Sequence, residues 1–237
     1  MSSVVYWWLW ALTRVVGWIL LGYRVEGTVP RRGGMLIAAN HASYADIPLL
    51  GCGIPRRAWY LGRSDLFVPG VKGLLQWLGW IPLKLGRLDR RAFDTAVTLI
   101  QEGKVVVIFP EGGRTLTGQL REAKPGLGMI VAQTGCPVVP AYLKGTYEVL
   151  PPGTTRPRRH PVTVRFGEPM TFGRPADGGD TKQFYRHVSR EVMERIAVLG
   201  GVDPPGHGPA AGARHAESAS AITHISTDGR RESRIDP

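Results

Sequence analysis

The sequence predicts an α/β fold, and three observations carry that expectation. Apolar runs of strand length alternate with longer stretches of helical spacing. One run, "KVVVIFPEG" at 104–112, has a β-branched centre without charge that stops at Pro110, as a strand buried on both faces requires. The 237 residues, 43% hydrophobic and 21% charged, suffice for one sizeable domain.

Each element follows from its own pattern. "GGMLIAAN", 33–40, reads as a short buried strand after a Gly-Gly turn. "DIPLLGCG", 46–53, reads as a short helix with Asp46 placed to cap its start. "RAWYLG", 57–62, is a second strand, and "VKGLLQWLGW", 71–80, is an apolar helix or loop. In "RRAFDTAVTLIQEG", 90–103, Phe93, Ala96, Val97 and Ile100 have amphipathic helical spacing, and Gly103 follows as a C-cap. "GLGMIVAQTG" at 126–135 reads as a helix, and "PVVPAYLKG" at 137–145 and "VTVRFGEP" at 162–169 as strands. The helix at 180–200 carries Phe184, Val188, Val192, Ile196 and Leu199 on one face.

Two flanks differ in composition. Residues 4–23, "VVYWWLWALTRVVGWILLGY", are long enough to span a bilayer, with Arg14 as the single charge. Four of the chain's seven tryptophans lie there, and tryptophan prefers a membrane interface. An in-plane helix, a span and a soluble core helix all remain open. From Gly200 onward the chain is rich in Gly, Pro, Ala and Ser and cannot bury enough surface to offset its ordering entropy. The expected organisation is an apolar membrane-associating helix over 1–24, a single α/β domain over 25–200 and a disordered tail over 201–237.

The formal net charge is +11. The segment 201–237 holds four arginines against five carboxylates, so the positive charge belongs to the first 200 residues. Such a charge favours an anionic partner: a membrane surface, a phosphorylated substrate or nucleic acid. The basic pairs are scattered and no nucleic-acid motif is present, so nucleic acid is not the expected partner. Cys52 and Cys136 imply no disulfide framework and no metal site, only two small buried hydrophobes.

Two segments carry candidate chemistry. In "AANHASYADIPLL", 38–50, His41 and Asp46 are five positions apart. On one continuous helix they would diverge by about 140°. If the segment turns, Asp46 can bind one imidazole nitrogen and leave the other to accept a proton. A histidine and a helix cap with structural roles are the alternative. Ser43 is a poor nucleophile candidate, two positions from His41 and outside a G-x-S-x-G turn. In "IFPEGGRTLTG", 108–118, a strand ends before Glu111, Gly112, Gly113 and Arg114. Glycines let backbone N–H groups approach an anion, and an arginine pairs with phosphate. A glycine turn with a solvated arginine is the alternative.

Together these motifs are similar to those of the glycerolipid acyltransferases, typified by 1-acyl-sn-glycerol-3-phosphate acyltransferase. "NHASYAD" resembles the family's N-H-x4-D motif. "FPEGGRT" resembles F-P-E-G-[TS]-R-[ST], with Gly113 where Thr or Ser is usual, and "CPVVPAYLKGT" resembles V-P-[VI]-[VI]-P-[VI]. The resemblance covers roughly residues 12–172. It departs at "GWIPLKLGRLDRRA", where Leu85 stands at the position of a head-group arginine and Lys84 or Arg87 is left to supply the charge.

The resemblance implies an acyltransferase domain with a central mixed sheet flanked by helices. It implies that His41, paired with Asp46, deprotonates the hydroxyl of a lysophospholipid, which attacks the thioester of acyl-CoA or acyl carrier protein. Glu111, Gly112, Gly113, Arg114, Lys84, Arg87 and Lys124 are then the expected substrate-binding residues. No metal or other cofactor is implied. The implied partners are a membrane lipid acceptor, the acyl donor and the membrane surface, and the implied location is the cytoplasmic face of a membrane.

Overall fold

The computed structural model describes residues 3–64, 72–84, 89–173, 175 and 180–206. The expectations for Leu85, Arg87 and the tail beyond residue 206 lie outside these residues. The elements run α1 (Ser3–Leu21), β1 (Arg24–Glu26), β2 (Met35–Ala39), α2 (Asp46–Gly53), β3 (Ala58–Arg63), α3 (Lys72–Trp77) and β4 (Trp80–Leu83). Then come α4 (Arg90–Gln101), β5 (Val105–Ile108), α5 (Gly126–Thr134), β6 (Val138–Lys144), α6 (Thr146–Val149), β7 (Thr163–Phe166) and α7 (Thr181–Gly200).

The strands form one mixed sheet in the order β1-β7-β6-β2-β5-β3-β4. Strands β6, β2, β5, β3 and β4 are mutually parallel. Strand β7 runs antiparallel to β6, and β1 follows β7 in parallel. The carboxyl ends of the five parallel strands therefore share one edge with the amino ends of β7 and β1. All five residues of β2 are buried, because helices cover both faces. Side chains alternate with the pleat: Met35, Ile37 and Ala39 pack with Leu49 and Leu50 of α2. Leu36 and Ala38 pack on the other face with residues of α4, α5 and α7, including Ala96, Ile130 and Ile196.

Strands β1 and β4 and helix α6 have no periodic signature in sequence. Strand β1 is only three residues and exists through its pairing with β7. Strand β4 interrupts the apolar run read as helix or loop: α3 ends at Trp77, and Trp80 to Leu83 pair with β3. Helix α4 ends as expected, with Gly103 in the left-handed region at φ 79°.

Helix α1 packs one face on α2. Tyr6, Trp10, Thr13, Arg14 and Gly17 lie toward the domain. The Trp10 indole donates to Gly51 O and Ile54 O, and Arg14 Nη1 donates to Cys52 O at 2.8 Å. These donors satisfy carbonyls at the end of α2 that a helix leaves unpaired. The opposite face is exposed: Trp8, Leu12, Val15, Trp18 and Ile19 are each more than half accessible. A core helix of a soluble protein would bury that face, so this reading of 4–23 does not hold.

Candidate functional site

The site lies at the carboxyl edge of the parallel strands. His41 follows β2, Arg63 ends β3, Lys84 follows β4 and the 109–114 segment follows β5. In open α/β sheets this edge is where ligands bind. Asn40 fixes the exit of the chain from β2. Its amide donates to Leu143 O and accepts from Leu143 N–H at 2.7 Å, copying a strand pairing with β6.

The chain then turns, and His41 meets Asp46. Nδ1 of His41 and Oδ2 of Asp46 are 2.8 Å apart. The same Oδ2 accepts the N–H groups of Ala42 and Ser43 at 2.7 and 2.8 Å. This differs from the expected helix cap. Asp46 is the first residue of α2, Ala45 is the N-cap, and the carboxylate points back to the preceding turn. Asp46 is fully buried. A carboxylate that only accepts there makes Nδ1 the donor and leaves Nε2 with the lone pair. Ser43 Oγ donates to Leu150 O and accepts from Ala45 N–H, so its hydroxyl is occupied.

The imidazole is further held by Phe109, stacked at 4.1 Å between centroids with the planes 21° apart. The His41 backbone is clamped on both sides by the segment after β5. Its N–H donates to Glu111 Oε1 at 2.8 Å, and its carbonyl accepts from Thr115 N–H at 2.8 Å.

Glu111 is therefore not where the sequence expectation put it. Among the substrate-binding candidates it is 1% exposed and stands outside the cavity. Its second oxygen accepts from Arg121 N–H at 3.1 Å. The reason is geometric: the residue after Pro110 faces inward, and the backbone N–H groups of His41 and Arg121 converge on it. Burial pushes its carboxyl up to about 7, against the pull of the two N–H donors and Arg121.

The remaining candidates do come together. A cavity of about 470 Å³ is lined by His41, Gly112, Gly113, Arg114, Lys84 and Lys124, with an apolar floor that includes Phe93, Ile108 and Leu127. Gly112 sits at φ 68°, and a Cβ there would lie 2.7 Å from the Lys124 stem, so glycine is needed for both conformation and space. The Arg114 guanidinium lies 3.6 Å from the Tyr44 ring centre. Residues 110–124 close on themselves, with Lys124 N–H donating to Pro110 O at 2.8 Å.

Sequence reasoning missed Arg63, Tyr44 and Phe109. Arg63 is the last residue of β3 and lines the cavity, so four cations and no carboxylate face it among the described residues. Its signal was available: a basic residue directly after the strand read from "RAWYLG". A second, apolar cavity of about 340 Å³ lies between α1 and the domain, lined by Trp10, Thr13 and Cys52. The two cavities share Ile47, Tyr60 and Trp80.

A carboxylate-backed histidine at the carboxyl edge of a parallel sheet, beside a cationic cavity, defines a class: an α/β domain with the layout that general-base chemistry requires. The comparisons sharpen this. The acyltransferase family model matches residues 22–144, and the chain belongs to that family. A chloroplastic 1-acyl-sn-glycerol-3-phosphate acyltransferase of Brassica napus is 34% identical over 146 residues, 59% of this chain and 41% of the relative. A lyso-ornithine lipid O-acyltransferase of Pseudomonas aeruginosa is 26% identical over 82% of this chain and 79% of its own. The crystal structure of the 1-acyl-sn-glycerophosphate acyltransferase of Thermotoga maritima matches with TM-score 0.61 and 28% identity, over 80% of this chain and 78% of that one. The chain spans about half the length, or less, of several curated relatives it matches.

Proposed function

We infer that the protein is an O-acyltransferase that moves an acyl chain from acyl-CoA or acyl carrier protein to the free hydroxyl of 1-acylglycerol 3-phosphate, giving phosphatidic acid. One observation carries the reading: His41 Nδ1 lies 2.8 Å from the buried Asp46 carboxylate, on the wall of a cavity that four cations line. Nε2 of His41 takes the hydroxyl proton. The hydroxyl oxygen attacks the thioester carbonyl carbon, the C–S bond breaks, and the leaving thiolate takes the proton from the imidazolium. Asp46 holds the tautomer and stabilises the imidazolium. Arg114, Arg63, Lys84 and Lys124 bind the acceptor phosphate, with Arg87 the remaining candidate. Gly112 and Gly113 let that phosphate approach the backbone. The apolar cavity beneath α1 receives an acyl chain, since it continues the first cavity past Ile47, Tyr60 and Trp80.

The reaction takes place at a membrane, on its cytoplasmic face. The unpartnered apolar face of α1, with Trp8 and Trp18, supports in-plane membrane association, because the other face is bonded to α2. Arg14 then remains on the protein side and is not carried into the bilayer.

A second acceptor class is favoured by a specific match. The similarity to the lyso-ornithine lipid O-acyltransferase spans about four-fifths of both chains. The same His41 chemistry serves a lyso-aminolipid hydroxyl. The deciding experiment incubates purified protein with radiolabelled acyl-CoA and a panel of acceptors, phosphorylated and not, beside His41→Ala. Equal product from wild type and variant sinks the role of His41. Product only with phosphate-free acceptors replaces the phosphatidic acid reading.

A further inference from the structure

Two features at the site's edge have no part in acyl transfer itself. Leu116 is 77% exposed, two residues beyond Arg114 in the closed 110–124 loop. The loop 150–162, between α6 and β7, carries exposed Arg156, Arg158 and Arg159 and no acidic residue.

Hydrogen bonds join the two features. Tyr147 of α6 donates its hydroxyl to Leu116 O at 2.9 Å. Ser43, two residues from His41, donates to Leu150 O at 2.9 Å, where the basic loop begins. At its other end Val162 N–H donates to Leu21 O, the last residue of α1, at 3.0 Å. The basic loop thus runs from the His41 turn to the carboxyl end of α1, along the edge that carries the cavity.

Exposed arginines and a single exposed leucine are each ordinary on a soluble surface. Their arrangement here is more specific. An apolar tip and a loop with three arginines share one edge with the Arg114 side of the cavity, and that edge reaches the carboxyl end of α1. A bilayer interface matches all of these at once, with apolar side chains at the acyl boundary and arginines on headgroup phosphates. A nucleic acid would match the arginines alone.

We propose that Leu116 with Arg156, Arg158 and Arg159 forms a second membrane contact, separate from α1, that seats the cavity against anionic lipid headgroups. The contact rests on the acyl-transfer reading for its purpose: it brings a membrane-borne hydroxyl to His41 without extracting the acceptor. A second point of attachment also limits the tilt of the domain more than α1 does by itself.

The test uses the full chain and vesicles of phosphatidylcholine with or without phosphatidylglycerol. The combined Arg156→Gln, Arg158→Gln and Arg159→Gln variant should lose about ten-fold or more in binding to the anionic vesicles and little on the neutral ones. The corresponding Lys variant should bind as the wild type does, and unchanged thermal unfolding checks the fold of each. Leu116→Asp should weaken binding to both vesicle types several-fold. With vesicle-borne acceptor kcat/KM should fall in step, while turnover of a short-chain, water-soluble acceptor stays at the wild-type level. Unchanged vesicle binding by both variants overturns the proposal, as does a loss confined to nucleic-acid binding. A wild type that acylates no acceptor sinks the acyl-transfer reading instead, and the vesicle comparison still decides the contact.

Discussion

The backbone N–H of His41 donates to Glu111 Oε1 at 2.8 Å, so the turn bearing the base and the loop bearing Arg114 are one rigid unit. Thr115 N–H closes the unit by bonding His41 O. Glu111→Ala removes the acceptor of the His41 and Arg121 N–H groups, at about 1 kcal/mol each. The expected result is a lowered Tm and a kcat loss on every acceptor. A Tm at the wild-type value would show that the clamp contributes nothing.

The same carboxyl should make stability depend on pH. Its folded value near 7 is above the unfolded value near 4.5, so the folded state holds the proton more tightly. The associated stability is full below pH 4.5 and is lost as pH rises through 7, in total roughly 3 kcal/mol. Glu111→Gln cannot ionise. Denaturant unfolding from pH 4.5 to 8 should show the wild type losing stability relative to this variant. Parallel curves would contradict the raised value.

Asp46→Asn tests the orienting role. The amide keeps the volume and can still accept from backbone, but it no longer enforces the Nδ1–H tautomer or stabilises an imidazolium. A kcat fall of about 100- to 10,000-fold is expected, with acceptor KM little changed. A larger effect on KM than on kcat would move Asp46 to a binding role.

Arg114→Ala should raise KM for a phosphorylated acceptor by roughly 10- to 100-fold, the worth of a charge-assisted hydrogen bond. A phosphate-free acceptor should be nearly unaffected. Tyr44→Ala removes the ring beneath the guanidinium and should cost about two- to ten-fold in the same parameter. Equal losses on both acceptor classes would argue that Arg114 supports the loop and not the phosphate.

Thr13→Trp fills the apolar cavity under α1. Donor selectivity, read as the kcat/KM ratio of long-chain to short-chain acyl-CoA, should shift toward short chains. An unchanged ratio would exclude that cavity as an acyl site.

Much of the fold was legible because its signals are local. The buried runs at 35–39, 105–108 and 138–144 are strands, and the spacing from Phe93 to Ile100 and from Val188 to Ile196 gives helices of the expected length. What escaped was short or non-local. Residues 24–26 and 80–83 become strands only against β7 and β3, and three or four residues hold no readable period. His41 and Asp46 were visible as a pair through their spacing. The stacking of Phe109, the cation at Arg63 and the inward turn of Glu111 depend on strands far apart in sequence.

By itself the sequence determined the α/β class, the apolar N-terminal helix, the separation of charge from the tail and the residue types of the site. Tertiary structure decided which of them act together. It turned Asp46 back onto His41 and withdrew Glu111 to two backbone donors. It also gathered the ends of four parallel strands around one cavity and gave α1 one bonded face and one bare one. The physical reason is the sheet: parallel strands bring their carboxyl ends to one edge whatever their order in the chain, and a single sequence does not state that order.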